Sequence, residues 1–526
     1  MGSHGATRVA GGREEVRRAP QGLLPLPPTD REKYTYAKRH LWVLTLSSLI
    51  SFCCLTASQL NLTRSTPLLW VYAPLLFFTV VYYLTSLRVN AFSRDFDIRR
   101  HRRLVRAWRP EVHPDVDIFL PVCGEPIEVL HNTWKHVREL ADHYPGVCVP
   151  FVLDDGADPA LEAMARDFGF RYGTRPERGW FKKAGNLHFG FGRSEGAYIL
   201  ILDADFTPRA DLLNELLPYM EEDPSIGIVQ SPQYFRVLDS QNWIERGAGA
   251  VQELFYRSVQ VSRQGSDGAI CVGSCAVYRR TALESNGGTT LIEHSEDVHT
   301  GFDLRQLGWD LRYVPVAVST GVCPDNADAF FNQQYRWCSG SMSLLGSAKF
   351  WRARIKLSSR LCYLSGFFYY IHTALFTFAM PVIPLVLLIA APGKLSVAHL
   401  WLVAPSVLYA TVIFPLWHRT PYRLEAWAAR MMYGWAHVFA IWDILRKQRV
   451  GWQATGSAGA KKNRTRRFWI GMWVWSGGTA VAWVGVAVWR MFTLHAPDFA
   501  LVLSTGLFYA LVVGRVLVQP RGVDHV

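Results

Sequence analysis

The chain has 526 residues, enough for more than one domain, and half of them are hydrophobic. With 13% aromatic residues and a slightly positive mean hydropathy, the composition argues against an ordinary soluble protein and favours a membrane protein. The formal net charge of +13 fits nucleic acid, an anionic lipid surface or a phosphorylated substrate. The nine cysteines show no C-x-x-C spacing, so we interpret them as reduced thiols and predict no zinc site.

Residues 1–35 are rich in Gly, Pro and Arg, and we predict that they form a disordered basic arm. Six apolar stretches follow, and each approaches the ~20 apolar residues that cross a membrane as a helix. They are Leu41–Leu60, Pro67–Leu87, Phe367–Ala391, Leu400–Trp417, Phe468–Trp489 and Ala500–Val518. The first lies too far from the terminus to be a signal peptide. Arg515 within the last predicts that this helix faces protein or a polar path, or ends early.

Lysine and arginine are distributed unevenly around these stretches. They precede the first one and crowd residues 418–467, whereas loops such as "APGKLSVA" and "TLHAPD" are nearly uncharged. By the positive-inside rule, both termini and the large domain lie in the cytosol, with the helices in the plasma (inner) membrane. The topology therefore accounts for much of the charge, and no nucleic-acid partner is needed.

Two further segments mix aromatic residues with Arg and Lys at helical spacing. Residues 346–366 and the first part of residues 418–467 are predicted to lie as amphipathic helices in the membrane interface, in contact with lipid. Aromatic residues of the third stretch, including Phe367, Tyr369 and Tyr370, are interpreted as packing or lipid-facing residues.

Residues 89–345 alternate short apolar runs with helical patterns. The runs "DVDIFLPV", "VCVPFVL", "AYILILD" and "IGIVQSP" predict buried strands of a mainly parallel sheet. The predicted fold class is a doubly wound α/β domain inserted between transmembrane helices. Ligands of such sheets bind beyond the carboxyl ends of the strands.

Acidic residues fall at those strand ends. Asp154 and Asp155 follow one strand, and Asp203 and Asp205 follow another as D-x-D, whose two side chains face the same way. Two such carboxylates suit Mg²⁺ or Mn²⁺ shared with a substrate diphosphate, although turn or capping roles explain either pair alone about as well. Asp297, in "SED" at the start of a predicted helix, is a candidate general base or a capping residue.

Other polar residues join these carboxylates as candidates. Lys182 and Lys183 in "KKAGN" could meet a phosphate, or could simply be solvated. Gln333, Arg336 and Trp337 form a Q-x-x-R-W pattern that offers an amide, a fixed cation and an aromatic face, on a site or on a surface helix. Polar neighbours of Asp297 are interpreted as bystanders; they are Glu293, His294, Glu296 and His299.

The order D-D-G, K-A-G-N, D-A-D, V-Q-S-P, G-S, S-E-D, Q-x-x-R-W resembles the processive family 2 glycosyltransferases, bacterial cellulose synthase catalytic subunits in particular, over about residues 115–340. The resemblance implies a GT-A domain that extends a glucan from UDP-glucose or another UDP-sugar and exports it through the same chain. Implied substrate-binding residues are Glu125, Asp154 (uridine), Asp155, Lys183, Asp203 (diphosphate), Gln333, Arg336, Trp337 and Thr455. Asp203 and Asp205 would bind Mg²⁺ or Mn²⁺, and Asp297 would be the catalytic base.

The gating loop of this family, F-x-V-T-x-K, has an altered counterpart here. Trp452 replaces its aromatic residue, Ala454 replaces its valine and Thr455 matches its threonine. The lysine is displaced to Lys461, so we expect loop gating by nucleotide with an altered lysine contact.

Other departures leave the product open. Ser295 stands in S-E-D for the usual T-E-D, C-G-E-P replaces Y-N-E-P, and Val272 replaces a cysteine near the acceptor. We expect no C-terminal domain for cyclic di-GMP. Curdlan, mixed-linkage glucan or a chitin-like polymer are alternatives to a cellulose-like product, with or without accessory export subunits. A non-processive transferase with a lipid acceptor and a transporter with a regulatory nucleotide-binding domain are two further alternatives.

Overall fold

The computed structural model describes residues 24–37, 40–91, 95–395, 401–447 and 462–518. The segment predicted to be the gating loop, with Trp452, Ala454, Thr455 and Lys461, lies outside these residues.

The large domain is built around a seven-stranded sheet and a three-stranded sheet. The strands are β1 Val116–Val122, β2 Cys148–Asp154, β3 Arg171–Gly173, β4 Tyr198–Ile201, β5 Phe206–Pro208, β6 Ile226–Gln230, β7 Tyr234–Phe235, β8 Ala276–Arg279, β9 Asp310–Tyr313 and β10 Ser319–Gly321. The orders are β3-β2-β1-β4-β8-β6-β9 and β5-β10-β7. In the larger sheet, β8 runs antiparallel to β4 and β6, and the other pairs are parallel.

The central strands are apolar because helices cover the sheet. β1 is buried along its whole length and pairs with β2 and β4, which are buried over most or all of theirs. The four runs predicted as strands correspond to β1, β2, β4 and β6, so the mainly parallel α/β fold is confirmed. The insertion of β8 between β4 and β6 was not predictable, because the residue pattern of a short strand buried on both faces is the same for parallel and antiparallel pairing.

Helices surround this sheet and join the domain to its neighbours. They are Ile98–Ala107, Ile127–His143, Pro159–Asp167, Lys182–Phe191, Leu212–Glu222, Trp243–Leu254, Gln260–Gln264, Arg280–Ser285, Glu296–Gln306, Ala327–Leu345 and Ala348–Arg352. We call Ala327–Leu345 the QxxRW helix because it carries that motif.

Five helices in the described residues are long and apolar enough to cross a membrane. They are M1 Leu41–Ser65, M2 Pro67–Asn90, M3 Leu357–Ala390, M4 Arg466–Thr493 and M5 Ala496–Leu517. They match five of the six predicted spans. The other predicted span, Leu400–Trp417, contains the shorter apolar helix Trp401–Trp417, and residues 396–400 before it lie outside the described part. A sixth span and the sidedness of the helices stay predictions.

The helix Leu424–Leu445, which we call the platform helix, packs between the domain and the membrane helices. It contacts Trp243–Leu254, the QxxRW helix, M3 and M5. The hydroxyl of Tyr335 donates to Asp443 at 3.0 Å, and Arg467 of M4 donates to the same carboxylate at 3.3 Å. The segment predicted to lie in the interface thus ties the QxxRW helix to M4.

Two predicted boundaries differ from the structure. Within residues 346–366, helix Ala348–Arg352 is short, and M3 already begins at Leu357, so no separate amphipathic helix spans that range. The predicted disordered arm of residues 1–35 includes residues 24–35, which are docked on the domain. Lys33 is buried there, and its ammonium donates to Asp211 and Glu215 at 2.6 Å each. A few specific ion pairs hold this segment, and its composition does not reveal them.

Candidate active site

Most of the predicted site residues line one cavity of about 2250 Å³. Its wall includes Glu125, Asp155, Lys183, Asp203, Asp205, Asp297, Gln333, Arg336 and Trp337. The strand topology explains part of this convergence, because β1, β2 and β4 are parallel neighbours and their carboxyl ends meet at one edge. Thr455 lies outside the described residues.

Asp154 is fully buried and shapes the turn after β2. Its carboxylate accepts hydrogen bonds from two backbone amides of that turn, at 2.6 and 2.8 Å, and from the hydroxyl of Tyr172 at 2.8 Å. These contacts explain why the aspartate is needed for the turn that brings Asp155 to the cavity. A contact between Asp154 and a uridine stays a prediction.

Arg175, which belongs to none of the sequence motifs, links this turn to the K-A-G-N helix. Its guanidinium binds both oxygens of Asp155, at 2.5 and 2.6 Å, and donates to the carbonyl of Lys182 at 3.0 Å. Gly185 makes room for it, since a Cβ there would lie 2.4 Å from Nη1 of Arg175. Only the fold reveals this role, because a single arginine outside any motif carries no sequence signal.

Lys183 joins the D-x-D to the S-E-D. Its ammonium lies 2.5 Å from Oδ1 of Asp203 and 3.7 Å from Oε1 of Glu296, and it donates to the carbonyl of Gly273 at 2.9 Å. The alternative of a solvated lysine is therefore wrong for Lys183. Glu296, interpreted as a bystander, is part of this charge cluster.

Burial and neighbouring negative charge raise the pKa values of three carboxyl groups in the cavity, those of Glu125, Asp205 and Asp297. Burial and the negative charge of Asp203 raise the pKa of Asp205 to about 7. Burial and the negative charge of Glu296 raise the pKa of Asp297, and the positive charge of Lys183 opposes this rise. Burial also raises the pKa of Glu125. Carboxyl groups with raised pKa values in a cleft are typical of functional sites.

The D-x-D fits a divalent cation that is shared with a substrate. In the part of the chain that the structure describes, no group of three or more His, Cys, Asp or Glu is arranged to hold a metal ion by itself. Asp203 and Asp205 supply two hard oxygen donors. Burial, and after it the negative charge of Asp203, raise the pKa of Asp205, and a bound cation would offset both effects. Mg²⁺ or Mn²⁺ would then need phosphate or water oxygens to complete its coordination.

Asp297 lies in the first turn of helix Glu296–Gln306 and also faces the cavity. The backbone amide of Val298 donates to its Oδ1 at 2.8 Å, so capping and site roles coexist. Gly273 of the G-S motif passes so close that a Cβ there would lie 2.8 Å from Oδ2, and its φ is +73°. Glycine is therefore required at 273, because its backbone both approaches the carboxylate and adopts a left-handed conformation.

The QxxRW helix packs directly on the S-E-D turn. A Cβ at Gly340 would lie 1.9 Å from Oγ of Ser295, which itself has a φ of +55°. The helix and the turn can approach only because residue 340 has no side chain. The Q-x-x-R-W motif and the candidate base are thereby held against each other.

Gln333, Arg336 and Trp337 lie on one face of the QxxRW helix, half-buried on the cavity wall. Burial lowers the pKa of Arg336, while the negative charges of Asp203 and Glu296 act in the opposite direction. The guanidinium of Arg336 therefore lies within electrostatic range of the carboxylates of Asp203 and Glu296. The alternative of an exposed surface helix is wrong.

Three glutamines hold the loop that follows Gly268, and the sequence did not reveal their function. Val272 donates to Gln230 and accepts from Gln233, each at 3.0 Å. Gln260 exchanges two hydrogen bonds with the backbone of Ile270, at 2.6 and 3.1 Å. Gln230 of the V-Q-S-P motif thus fixes the loop beside Asp297 together with Gln233 and Gln260, through hydrogen bonds between side-chain amides and the backbone.

Aromatic residues continue the cavity among the membrane helices. Tyr82 of M2 and Phe367, Tyr369 and Tyr370 of M3 line it, together with Tyr433 of the platform helix. The interpretation of the three M3 residues as packing or lipid-facing is therefore incomplete, because they also border this space. The cavity-facing side of these helices could not be predicted from the sequence, because apolar and aromatic residues occur on all of their faces and show no periodic pattern.

Comparison with known proteins agrees with this geometry. Residues 198–416 match the model of Glycosyl transferase family group 2. The chain is 32% identical over 331 residues to the UDP-forming cellulose synthase catalytic subunit of Komagataeibacter sucrofermentans, covering 62% of this chain and 42% of that protein. It is 31% identical over 337 residues to cellulose synthase 1 of Komagataeibacter xylinus, covering 63% and 21%. The chain thus spans less than half the length of these relatives.

Among solved structures, a mannosyltransferase from Pyrobaculum calidifontis matches with a TM-score of 0.47 and 17% identity, covering 71% of this chain and 98% of that one. The resemblance to family 2 is confirmed by the sequence relatives. In sequence, the chain is thus similar to family 2 glycosyltransferases of the cellulose synthase type, and apolar helices lie on both sides of its α/β domain.

Proposed function

We propose that this chain is a processive, inverting glycosyltransferase that polymerises a β-glucan, most simply a cellulose-like chain from UDP-glucose, and moves it across the plasma membrane. The observation that carries the proposal is the continuity of the cavity. Asp297 and Arg336 line one end, and Tyr82, Tyr369 and Tyr433 line the end among the apolar helices. A transferase whose helices served only as an anchor would not need such a path.

Asp297 is the candidate base. An acceptor hydroxyl that attacks the anomeric carbon from the side opposite the leaving group loses its proton to this carboxylate, and the configuration inverts. The raised pKa of Asp297 brings it closer to neutral pH, where a carboxylate is a better base. Gly273 and the first turn of its helix hold the carboxylate in place.

Positive side chains stand where the nucleotide would leave. Lys183 contacts Asp203, and Arg336 faces the same carboxylates, so both can stabilise charge that develops on a departing diphosphate. When Mg²⁺ or Mn²⁺ is bound at Asp203 and Asp205, it would add further stabilisation of that charge. The name of the UDP-forming relative supports UDP as the nucleotide.

Aromatic faces account for retention of the product. Trp337 lies next to Arg336 on the same helix face and lines the cavity, which supports a role for its ring in stacking on the acceptor sugar. Tyr369, Tyr370 and Tyr433 continue the path, and their flat rings and hydroxyls suit a pyranose chain. The asymmetry of Lys and Arg along the sequence supports a cytosolic position for the domain.

The proposal is tested by assaying membranes that contain the protein with UDP-glucose, UDP-N-acetylglucosamine and UDP-glucuronate. UDP release together with a polymer, whose linkage is then determined, is expected from the wild type and not from Asp297→Asn. A cellulose-like product has 1,4 linkages, while 1,3 or mixed linkages identify the other glucans. Transfer of single sugars to lipid, without polymer, would replace the proposal with the non-processive alternative.

A further inference from the structure

A buried arginine faces the end of the cavity that lies among the apolar helices. Arg263, in helix Gln260–Gln264, is 4% exposed and lines the cavity beside Tyr82 and Tyr370. Within the described ranges, no carboxylate lies within ion-pair distance of its guanidinium, and its Nε has no hydrogen-bond partner. Burying a guanidinium without an anion is strongly unfavourable, so this arrangement calls for a ligand.

The position of Arg263 depends on M3. A Cβ at Gly366 would lie 2.6 Å from Nη2 of Arg263, so the guanidinium fits only because residue 366 is glycine. Burial lowers the pKa of Arg263, but a guanidinium keeps its proton at any physiological pH. The guanidinium of Arg263 is therefore permanently positive, and the absence of a side chain at Gly366 leaves room for it beside the cavity.

A second arginine lines the same region. Arg430 of the platform helix donates to the hydroxyl of Tyr422 at 3.4 Å, and its guanidinium carbon lies 5.7 Å from the ring centre of Phe414 and 5.5 Å from that of Trp427. No carboxylate pairs with it among the residues whose placement is described. Tyr82 lies within electrostatic range of both Arg263 and Arg430, so one anionic ligand could interact with both guanidinium groups.

The charge of the cavity changes sign along its length. Its acidic lining residues lie in the large domain, and the last of them in the sequence is Asp328. The lining residues supplied by M1, M2, M3 and the platform helix include Arg430 and many tyrosines but no Asp or Glu. A neutral glucan would leave both cations without a counter-charge along this path.

We propose that Arg263 and Arg430 bind a carboxylate carried by the saccharide chain, so that the β-linked product contains hexuronate residues. This inference rests on the proposed function, since it concerns the path of the product. The guanidinium forks match a carboxylate in shape and charge, and nearby tyrosine hydroxyls can donate to its remaining lone pairs. The class of donor that follows is a nucleotide-activated uronic acid, used together with UDP-glucose.

The test compares two probes that differ only at C6: cellohexaose, and the same hexamer in which each C6 hydroxymethyl group is oxidised to a carboxylate. Binding to the purified full chain in phosphatidylcholine nanodiscs is measured by calorimetry. The wild type is expected to bind the oxidised hexamer about 10-fold or more tightly than cellohexaose, because charge-assisted hydrogen bonds replace neutral ones. This preference should shrink as salt is added.

Variants assign the preference to the two arginines. Arg263→Gln and Arg430→Gln are each expected to remove most of the preference while cellohexaose still binds, and Arg263→Lys should keep part of it. Arg354→Gln, at an exposed arginine outside the cavity lining, makes the same change in net charge and should keep all of it. If Arg263→Gln binds neither probe because it misfolds, Arg430→Gln decides.

Four results would overturn the inference. Equal binding of the two hexamers by the wild type would do so while leaving a glycan path intact, and binding of neither would remove the path as well. A preference that disappears when phosphatidylglycerol replaces phosphatidylcholine would assign the arginines to anionic lipid headgroups. A preference that survives both glutamine substitutions would place the anion elsewhere.

Discussion

The ammonium of Lys183 lies 2.5 Å from Oδ1 of Asp203, so the first carboxylate of the D-x-D is already paired with a cation of the protein. The same ammonium is 3.7 Å from Glu296, next to the candidate base. A cation that binds the donor diphosphate at the D-x-D must therefore share Asp203 with Lys183. The lysine couples the place where the nucleotide would leave to the place where the proton would be taken.

Asp297→Asn should retain UDP binding and lose transfer, because an amide of the same shape cannot accept the proton. The loss of a general base costs about 10²–10⁴-fold in turnover. UDP release gives the rate, and inhibition by UDP reports nucleotide binding. Asp310→Asn, at an exposed aspartate on β9, serves as the control and should be unaffected. Near-normal turnover in Asp297→Asn would rule out this residue as the base.

The pH at which kcat/KM falls on the acid side should depend on the charged groups around Asp297. The base works when deprotonated, and its pKa is raised, so kcat/KM should fall as the pH drops through that raised value. Glu296→Gln removes a negative charge and should move the limb to lower pH. Lys183→Met removes a positive charge and should move it to higher pH. If kcat/KM falls at the same pH in the wild type and in both variants, a group other than Asp297 is responsible for the acid limb.

Activity should be lost in EDTA and return with Mg²⁺ or Mn²⁺, because Asp203 and Asp205 are suited to hold a cation with a diphosphate. Asp205→Asn should raise the metal concentration that half-restores activity, since one ligand charge is removed. Titration of each ion into chelated, dialysed protein measures this. Full activity at a verified zero metal content would contradict the prediction.

Gly340→Ala should disturb the S-E-D turn, because the new Cβ would lie 1.9 Å from Oγ and 2.3 Å from Cβ of Ser295. A displacement of about 1 Å at a reacting group can cost about 10²-fold in rate. Ser295→Gly in the same chain removes both clashing atoms and suits the positive φ, so it should restore part of the activity. Gly346→Ala is the matched control, since its nearest contact would be 3.4 Å. Equal activity of the two alanine variants would refute the packing argument.

The sequence predicted the elements whose signals are local and strong. The strands β1, β2, β4 and β6 are continuous apolar runs, and five spans are long and nearly uncharged. It did not predict the docked segment that carries Lys33 or the direction of β8, because both depend on partners far away in the chain. The sequence also did not predict that residues 346–366 are divided between a short helix and the beginning of M3. Aromatic residues mixed with Arg and Lys are typical both of an interfacial helix and of the end of a membrane-spanning helix.

The site was predictable where a motif carries the chemistry itself. Asp203, Asp205, Asp297 and Arg336 lie together as their motifs suggested. The supporting contacts were not predictable, because they depend on distances that only the fold creates. Arg175 is an example: it lies 20 residues from Asp155 and belongs to none of the motifs.

Substitutions of Arg336 and of Trp337 should cause different kinetic defects, although the two residues are neighbours on one helix face. Arg336 is a fixed cation near Asp203, so Arg336→Ala should weaken UDP inhibition and slow departure of the diphosphate together, and lysine should rescue only part of the loss. Trp337 offers a ring face and no charge. Trp337→Ala should therefore leave UDP inhibition nearly unchanged and shorten the polymer or lower its yield.

The control for both is Tyr335→Phe, which removes the hydrogen bond to Asp443 in the platform helix and leaves the cavity wall unchanged. Loss of one such buried bond costs about 1 kcal/mol of stability, so this variant should lower the amount of folded protein without altering either kinetic measure. UDP inhibition and product length are measured on samples matched for folded protein. Identical defects in Arg336→Ala and Trp337→Ala, shared by Tyr335→Phe, would mean that the helix acts only as packing and that the two side chains have no separate functions.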